Sequence, residues 1–299
     1  TADYGQVPHL QSAFIQTWHV NNDCRYNLGC ALVPDAGAAY VLTTGYHGEI
    51  GVQFEFHGQT IAVNVPTRAA LDAEIEQRFM QGQGFALATV NLDHLVKMGA
   101  SKGFLEAYSA QDLVVADGRP IVWLSHLARH PVELLPGSDM VFPLCGLAAK
   151  AGVPVALVGS TQMALDDAAR ILQQEVPGLD ITMRHAPSGV FDPSGEEATQ
   201  ILAQLNDSGV RLCFLALGAP KQELMAARGR QLAPAVGFAS IGAGLDFLGG
   251  YQRRAPQWMR RLALEWLWRA VSSPLRMLPR YARCFAVLPQ QVVRAWQQR

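Results

Sequence analysis

An α/β fold, with a mostly parallel sheet covered by helices on both faces, is what the amino-acid sequence predicts, and three observations predict it. From about residue 53 to residue 250, short apolar runs alternate with segments of helical length, the mark of repeated βαβ units. The runs are continuously apolar, as strands buried on both faces require. Hydrophobic residues make up 49% of the 299 and charged residues only 16%, which excludes a disordered chain and supplies a sizeable core.

The elements follow in order. Residues 1–52 show no convincing period and read as an extension of unassigned role, with short β-like pieces such as 39–43. Gln53–Phe56 and Thr60–Val63 alternate like a hairpin around His57-Gly58. The spacing of Leu71, Ile75 and Phe79 predicts a helix over 67–81. A strand is expected at 85–90, a broken helix over 94–110, and a strand at 113–115. A helix beginning on Pro120 is expected to reach Ala128. Another spans 139–151, with Asp139 as its expected N-cap. Strands at 153–158, 180–184, 211–217 and 235–241 then alternate with helices at 161–176, 195–206 and 221–231. The tail from Arg253 is helical in character but punctuated by Pro256, Pro274, Pro279 and Pro289. The predicted division is an extension over 1–52, an α/β core over 53–250 and a basic appendage over 251–299.

Charge separates the appendage from the core. From Gln252 to Arg299 there are ten arginines, one glutamate and no lysine, so a net charge of −1 conceals a cationic tail on an acidic body. Such a tail seeks phosphate groups or an anionic membrane surface. A long nucleic acid is disfavoured, because the acidic body repels it. The segment Trp258-Met259-Arg260-Arg261-Leu262 and the segment from Leu264 to Arg269 mix aromatic, aliphatic and basic groups, an interfacial pattern when helical. No run approaches the ~18 apolar residues of a membrane-spanning helix. No basic segment leads an apolar run at the start, so no signal peptide is expected. Five cysteines without CxxC spacing argue against a disulfide framework and a zinc site, and suit a reducing compartment. His126 and His130, four apart, read as a surface pair, and no metal site is expected.

Ligands of an open parallel sheet bind beyond the carboxyl ends of its strands. The residues expected there are Thr89, Asn91 and Asp93; Asp117-Gly118; Gly159-Ser160-Thr161; Gly218 to Gln222; and Gly242 to Asp246. Glycines and helix N-termini at such a rim suit a nucleotide diphosphate. Neither GxGxxG after a strand nor GxxxxGK[ST] is present, which weakens dinucleotide and P-loop readings. No D-x-D pair is present either, so cations from the arginine tail would neutralise a diphosphate. Asp117 is either a general base facing the cleft or a turn former. Asp246 carries the same ambiguity. Gln222 either points into the cleft or is solvent-exposed.

Seven ordered segments carry a resemblance: Thr89 to His94, Ala116-Asp117-Gly118, Pro136 to Asp139, Gly218 to Glu223, Gly244 to Gly250, Arg254-Ala255-Pro256 and Leu264 to Arg269. Over about residues 53–281 the chain resembles the WecG/TagA/CpsF glycosyltransferases, family 26. The resemblance implies a Rossmann-like core with a C-terminal appendage that closes over the site and helps hold the membrane. It implies an inverting, metal-independent transferase that needs no cofactor, peripheral at the cytoplasmic face of the cell membrane. Its substrates would be a UDP-sugar donor and a polyprenyl-diphosphate-linked sugar acceptor, in the biosynthesis of cell-surface polysaccharide. It also points to a homodimer that opens when the tail engages. By position, Asp117 matches the family's general base. Thr89, Asn91, Gln222 and Asp246 match its pocket, and Arg269 and Arg276 match appendage arginines thought to bind the diphosphate. A third such arginine falls on Pro279, with Arg280 as its stand-in. Leu134 stands where the family often has arginine, and Arg119 is the compensating candidate. Two rival readings are a non-catalytic sugar-nucleotide-binding or membrane scaffold relative, and an NAD-dependent enzyme on the same architecture.

Overall fold

The structure is a computed structural model that describes residues 51–252, 255–256, 259 and 264–299. The expected extension, apart from its last two residues, and most of the interfacial segment around Trp258 lie outside the described residues.

Among the described residues a two-stranded antiparallel hairpin comes first, β1 (Gln53–Phe56) and β2 (Gln59–Ala62). His57 and Gly58 link the strands with φ of 48° and 78°. Left-handed backbone at both positions matches the right-handed twist of the flanking strands. Helix α1 (Arg68–Gln81) follows, with the Thr67 side chain capping Ala70 N–H at 3.2 Å.

Six parallel strands among the described residues form the main sheet: β3 (Phe85–Val90), β4 (Leu113–Ala116), β5 (Val155–Gly159), β6 (Ile181–His185), β7 (Leu212–Ala216) and β8 (Gly237–Ser240). Their spatial order is β4-β3-β8-β7-β5-β6. The chain moves outward from β3 to β4 at one edge. It then forms β5 and β6 at the other, and returns through β7 to place β8 against β3. The carboxyl ends of β3, β7 and β8 therefore lie side by side where the winding reverses, the place such sheets bind ligands.

Alternating side chains sort the two faces. Phe85 and Leu87 of β3 join α1, α5 (Gly137–Ala151) and α6 (Gln162–Glu175) in one buried cluster. Ala88 and Val90 face a second cluster with α2 (Leu92–Ala100), α3 (Lys102–Ser109) and α4 (Arg119–Leu127). Ala86 joins the cluster formed by α7 (Glu196–Asp207) and α8 (Lys221–Leu232). A small helix, α9 (Gly244–Leu248), follows β8. Two more complete the described chain, α10 (Glu265–Ser272) and α11 (Pro274–Gln297).

Four expectations are borne out in finer detail or corrected. Asp139 does not cap α5; Pro136 holds that position and Asp139 sits in the first turn. The broken helix is two helices sharing Ser101, which ends α2 and caps α3 by accepting from Phe104 N–H at 3.3 Å. Strand β6 alternates in exposure instead of being buried throughout, with Thr182 and Arg184 exposed. The tail prolines do not all break the helix: Pro274 opens α11, while Pro279 and Pro289 lie inside it. Both are exposed, so the backbone groups they disturb face water.

Helix α11 is not a loose tail. Its Cys284 and Ala295 belong to the buried cluster of α2, α3 and α4. Near its end, the Gln298 amide accepts from Gln53 N–H at 3.0 Å and donates to the Gln53 carbonyl at 2.7 Å. Cys145, Cys213 and Cys284 are buried free thiols, and burial pushes the Cys145 thiol up to about 12, far from a reactive thiolate.

Candidate active site

The candidate site is assembled by the loops leaving β3, β4, β5, β7 and β8. Two backbone positions shape it. Gly118 adopts φ 101°, turning the chain sharply after Asp117. Gly159 adopts φ 121°, and a Cβ there would lie 2.4 Å from the Ala216 carbonyl oxygen. β5 and β7 can end this close together only without a side chain.

Asn91 and Asp117 meet directly. Asn91 leaves the end of β3 and caps α2, its Oδ1 accepting from His94 N–H at 3.2 Å. Its Nδ2 donates to Asp117 Oδ2 at 3.0 Å. Asp117 extends the β4 edge, its N–H donating to the Val90 carbonyl at 2.8 Å. It is packed around by protein while part of its surface stays open. Burial raises its carboxyl above the ordinary aspartate range, opposed by the Asn91 hydrogen bond and the Arg269 charge. Glu265 and Asp139 push it further up. A carboxylate held in this way, near an open surface, suits proton abstraction. Thr89 is buried within β3, and its backbone is hydrogen-bonded to the His94 ring. Burial, reinforced by the Lys97 charge, lowers that imidazole to about 4, so it is neutral near pH 7.

The second group closes around β8. Gln222, in the first turn of α8, is buried, which settles its open orientation against solvent. Its Oε1 accepts from Gly242 N–H at 3.0 Å. Asp246, in α9, accepts from the Ser160 hydroxyl through Oδ1 and from Gln252 Nε2 at 2.7 Å through Oδ2. Ser160 stands at φ 52°, so the turn after β5 aims a hydroxyl at Asp246. Thr161 of the same segment caps α6, its hydroxyl accepting from Ala164 N–H at 3.3 Å, as in an ordinary strand-to-helix turn.

The arginines divide. Arg269 pairs with Glu265 at 2.8 Å, and its charge bears on Asp117. Arg276 is exposed on α11. Arg280 is turned onto Asp93 of α2, 2.9 Å from its Oδ2. Asp93 also pairs with Lys97 at 2.8 Å, and Lys97 Nζ donates to the Ala219 carbonyl at 3.0 Å, in the loop before α8. This link between α11, α2 and the β7–α8 loop was not legible in the sequence. The pair Asp93 and Lys97 has helical i, i+4 spacing, the one signal of it. Leu134 bridges Ala116 in parallel register, beside Asp117, so the position of the expected arginine borders the site. Arg119 is exposed at the start of α4.

Comparison with known proteins shows what the chain is similar to. The family model described as Glycosyl transferase WecG/TagA/CpsF family matches residues 58–299. An N-acetylglucosaminyldiphosphoundecaprenol N-acetyl-beta-D-mannosaminyltransferase of Bacillus subtilis (strain 168) is 26% identical over 205 residues, which cover 67% of this chain and 78% of that protein.

Proposed function

Because the chain belongs to the WecG/TagA/CpsF glycosyl transferase family, we propose that it transfers a sugar from a UDP-sugar to a polyprenyl-diphosphate-linked sugar, with inversion and without a metal. The candidate sugars are N-acetylmannosamine, its uronic acid and glucose. The name of the Bacillus subtilis relative favours the first, with an N-acetylglucosaminyl-diphosphoundecaprenol acceptor.

One observation carries the mechanism: Asp117 sits at a strand end with a raised pKa, oriented by Asn91 and near the charge of Arg269. The acceptor hydroxyl gives its proton to the Asp117 carboxylate while its oxygen attacks the anomeric carbon. The bond from that carbon to the diphosphate oxygen breaks from the opposite face, and UDP leaves. Arg269 and Arg276 stabilise the charge on the leaving diphosphate. Arg280, committed to Asp93, is the least available of the three. Thr89, Asn91, Gln222 and Asp246 shape the pocket for the donor.

The appendage is proposed to face the cytoplasmic side of the membrane. Trp266, Val271, Leu275, Leu278 and Phe285 are exposed on α10 and α11, among arginines, which is an interfacial arrangement. Among the described residues no helix is long and apolar enough to cross a membrane.

The test is Asp117→Asn, assayed with lipid present. Transfer is expected to fall by about 100-fold or more, and activity within about tenfold of wild type removes Asp117 as the base. UDP binding without transfer to any lipid-linked acceptor would favour the scaffold reading, to which Leu134 lends support.

A further inference from the structure

Glu223 follows Gln222 in the first turn of α8 and is completely buried. A buried carboxyl is costly unless it is paired. One oxygen is paired: Oε1 accepts from Gln222 Nε2 at 2.9 Å. The other, Oε2, has no hydrogen-bond partner among the described residues. The main chain at Glu223 is pinned as well, its carbonyl accepting at 3.1 Å from Gln111 Nε2, which also donates to the Ala107 carbonyl. Besides its own backbone N–H, the carboxyl has one hydrogen-bond partner among the described residues, the Gln222 amide, and it feels the charge of Lys97.

The two ends of that amide differ in chemistry, one accepting and one donating. With its carbonyl on Gly242 N–H, its NH2 must find an acceptor on the other side, and Glu223 supplies it. Gly242 opens the loop that leads to Asp246, whose two oxygens are held by Ser160 and Gln252. An acceptor lost at Glu223 would leave a buried N–H unpaired, and the amide would turn to satisfy it.

We infer that Glu223 is a positioning residue, whose buried carboxyl fixes the Gln222 amide in the orientation that clasps Gly242 and so sets the β8–α9 loop carrying Asp246. This rests on the reading that Gln222 and Asp246 hold the UDP-sugar donor. Glu223 touches no substrate and acts through its neighbour.

A double-mutant cycle read by UDP titration calorimetry and by donor KM, on the full chain, tests it. Glu223→Met, and Glu223→Leu as a second apolar variant, keep bulk but remove the acceptor. Each is expected to weaken UDP binding by about tenfold and to raise donor KM more than it lowers kcat. Glu223→Gln retains a carbonyl for Gln222 and is expected to stay within about threefold of wild type. In a Gln222→Ala background, Glu223→Met is expected to add less than about twofold. Hydrogen exchange over 241–247 is expected to quicken in Glu223→Met and not in Glu223→Gln. Additive effects, a folded apolar variant that binds UDP like wild type, or equal damage from Glu223→Gln overturn the inference alone. A wild-type chain that binds no UDP overturns the functional reading and this inference with it.

Discussion

Asp117 illustrates how much a single position owes to its neighbours. Its ordinary value of 3.8 is raised by burial and held back by Asn91 and Arg269. As the proposed base it must be ionised, so kcat/KM is expected to rise with pH through an acid limb lying above that ordinary value. Removing the Arg269 charge raises the carboxyl further, and Arg269→Ala is expected to move the limb to higher pH, whatever it does to the maximal rate. Glu265 acts in the opposite sense, so Glu265→Gln is expected to move the limb lower. A pH–rate profile that stays fixed in both variants would contradict this account. That Asp117 stands at a strand end was legible, because an apolar run stops there. The burial of Gln222 was not, because its partner Gly242 lies 20 residues away.

At the scale of elements, the junction of α2 and α11 matters most. Burial works to raise the Asp93 carboxyl, but Lys97 and Arg280 outweigh it and leave it below the ordinary aspartate range. Asp93→Asn leaves both cations without their shared counter-charge. Pairs that are still partly exposed contribute modestly, so the expected loss is about 1–2 kcal/mol, or roughly 2–5 °C in Tm at neutral pH. A lowered pKa means the wild-type advantage is present above the unfolded value and disappears as pH falls through the folded one. The two melting curves should therefore draw together only as the pH falls below the ordinary aspartate value of 3.8. Equal stability at pH 7 would show that the pair does not hold α11. Individual helices and strands were readable from apolar spacing, since each period is local. The docking of Arg280 was not, because 187 positions separate it from Asp93 and Arg276, Arg283 or Arg294 of the same helix could equally have been chosen.

For the molecule as a whole, this glycosyltransferase presents two chemically unlike regions. The acidic body carries Asp117, while α10 and α11 expose Trp266, Leu275, Leu278 and Phe285 beside the arginines. The triple change Leu275→Glu, Leu278→Glu and Phe285→Glu is expected to abolish cosedimentation with vesicles rich in anionic lipid. It should leave the melting temperature nearly unchanged, because all three side chains are exposed. Retained vesicle binding would dismiss this surface. The layered sheet was legible in the sequence because fully buried strands are written as unbroken apolar runs. The course of the last helix was not, since proline reads as a stop unless its outward placement is known. The inward side of that same helix has a practical meaning. Cys284 and Ala295 roof the cluster that contains Leu95, Met98 and Tyr108. A fragment cut off after Gly250 would bare those side chains to water. Its inactivity would record a collapsed shell, whatever the helix contributes to turnover or to lipid adhesion.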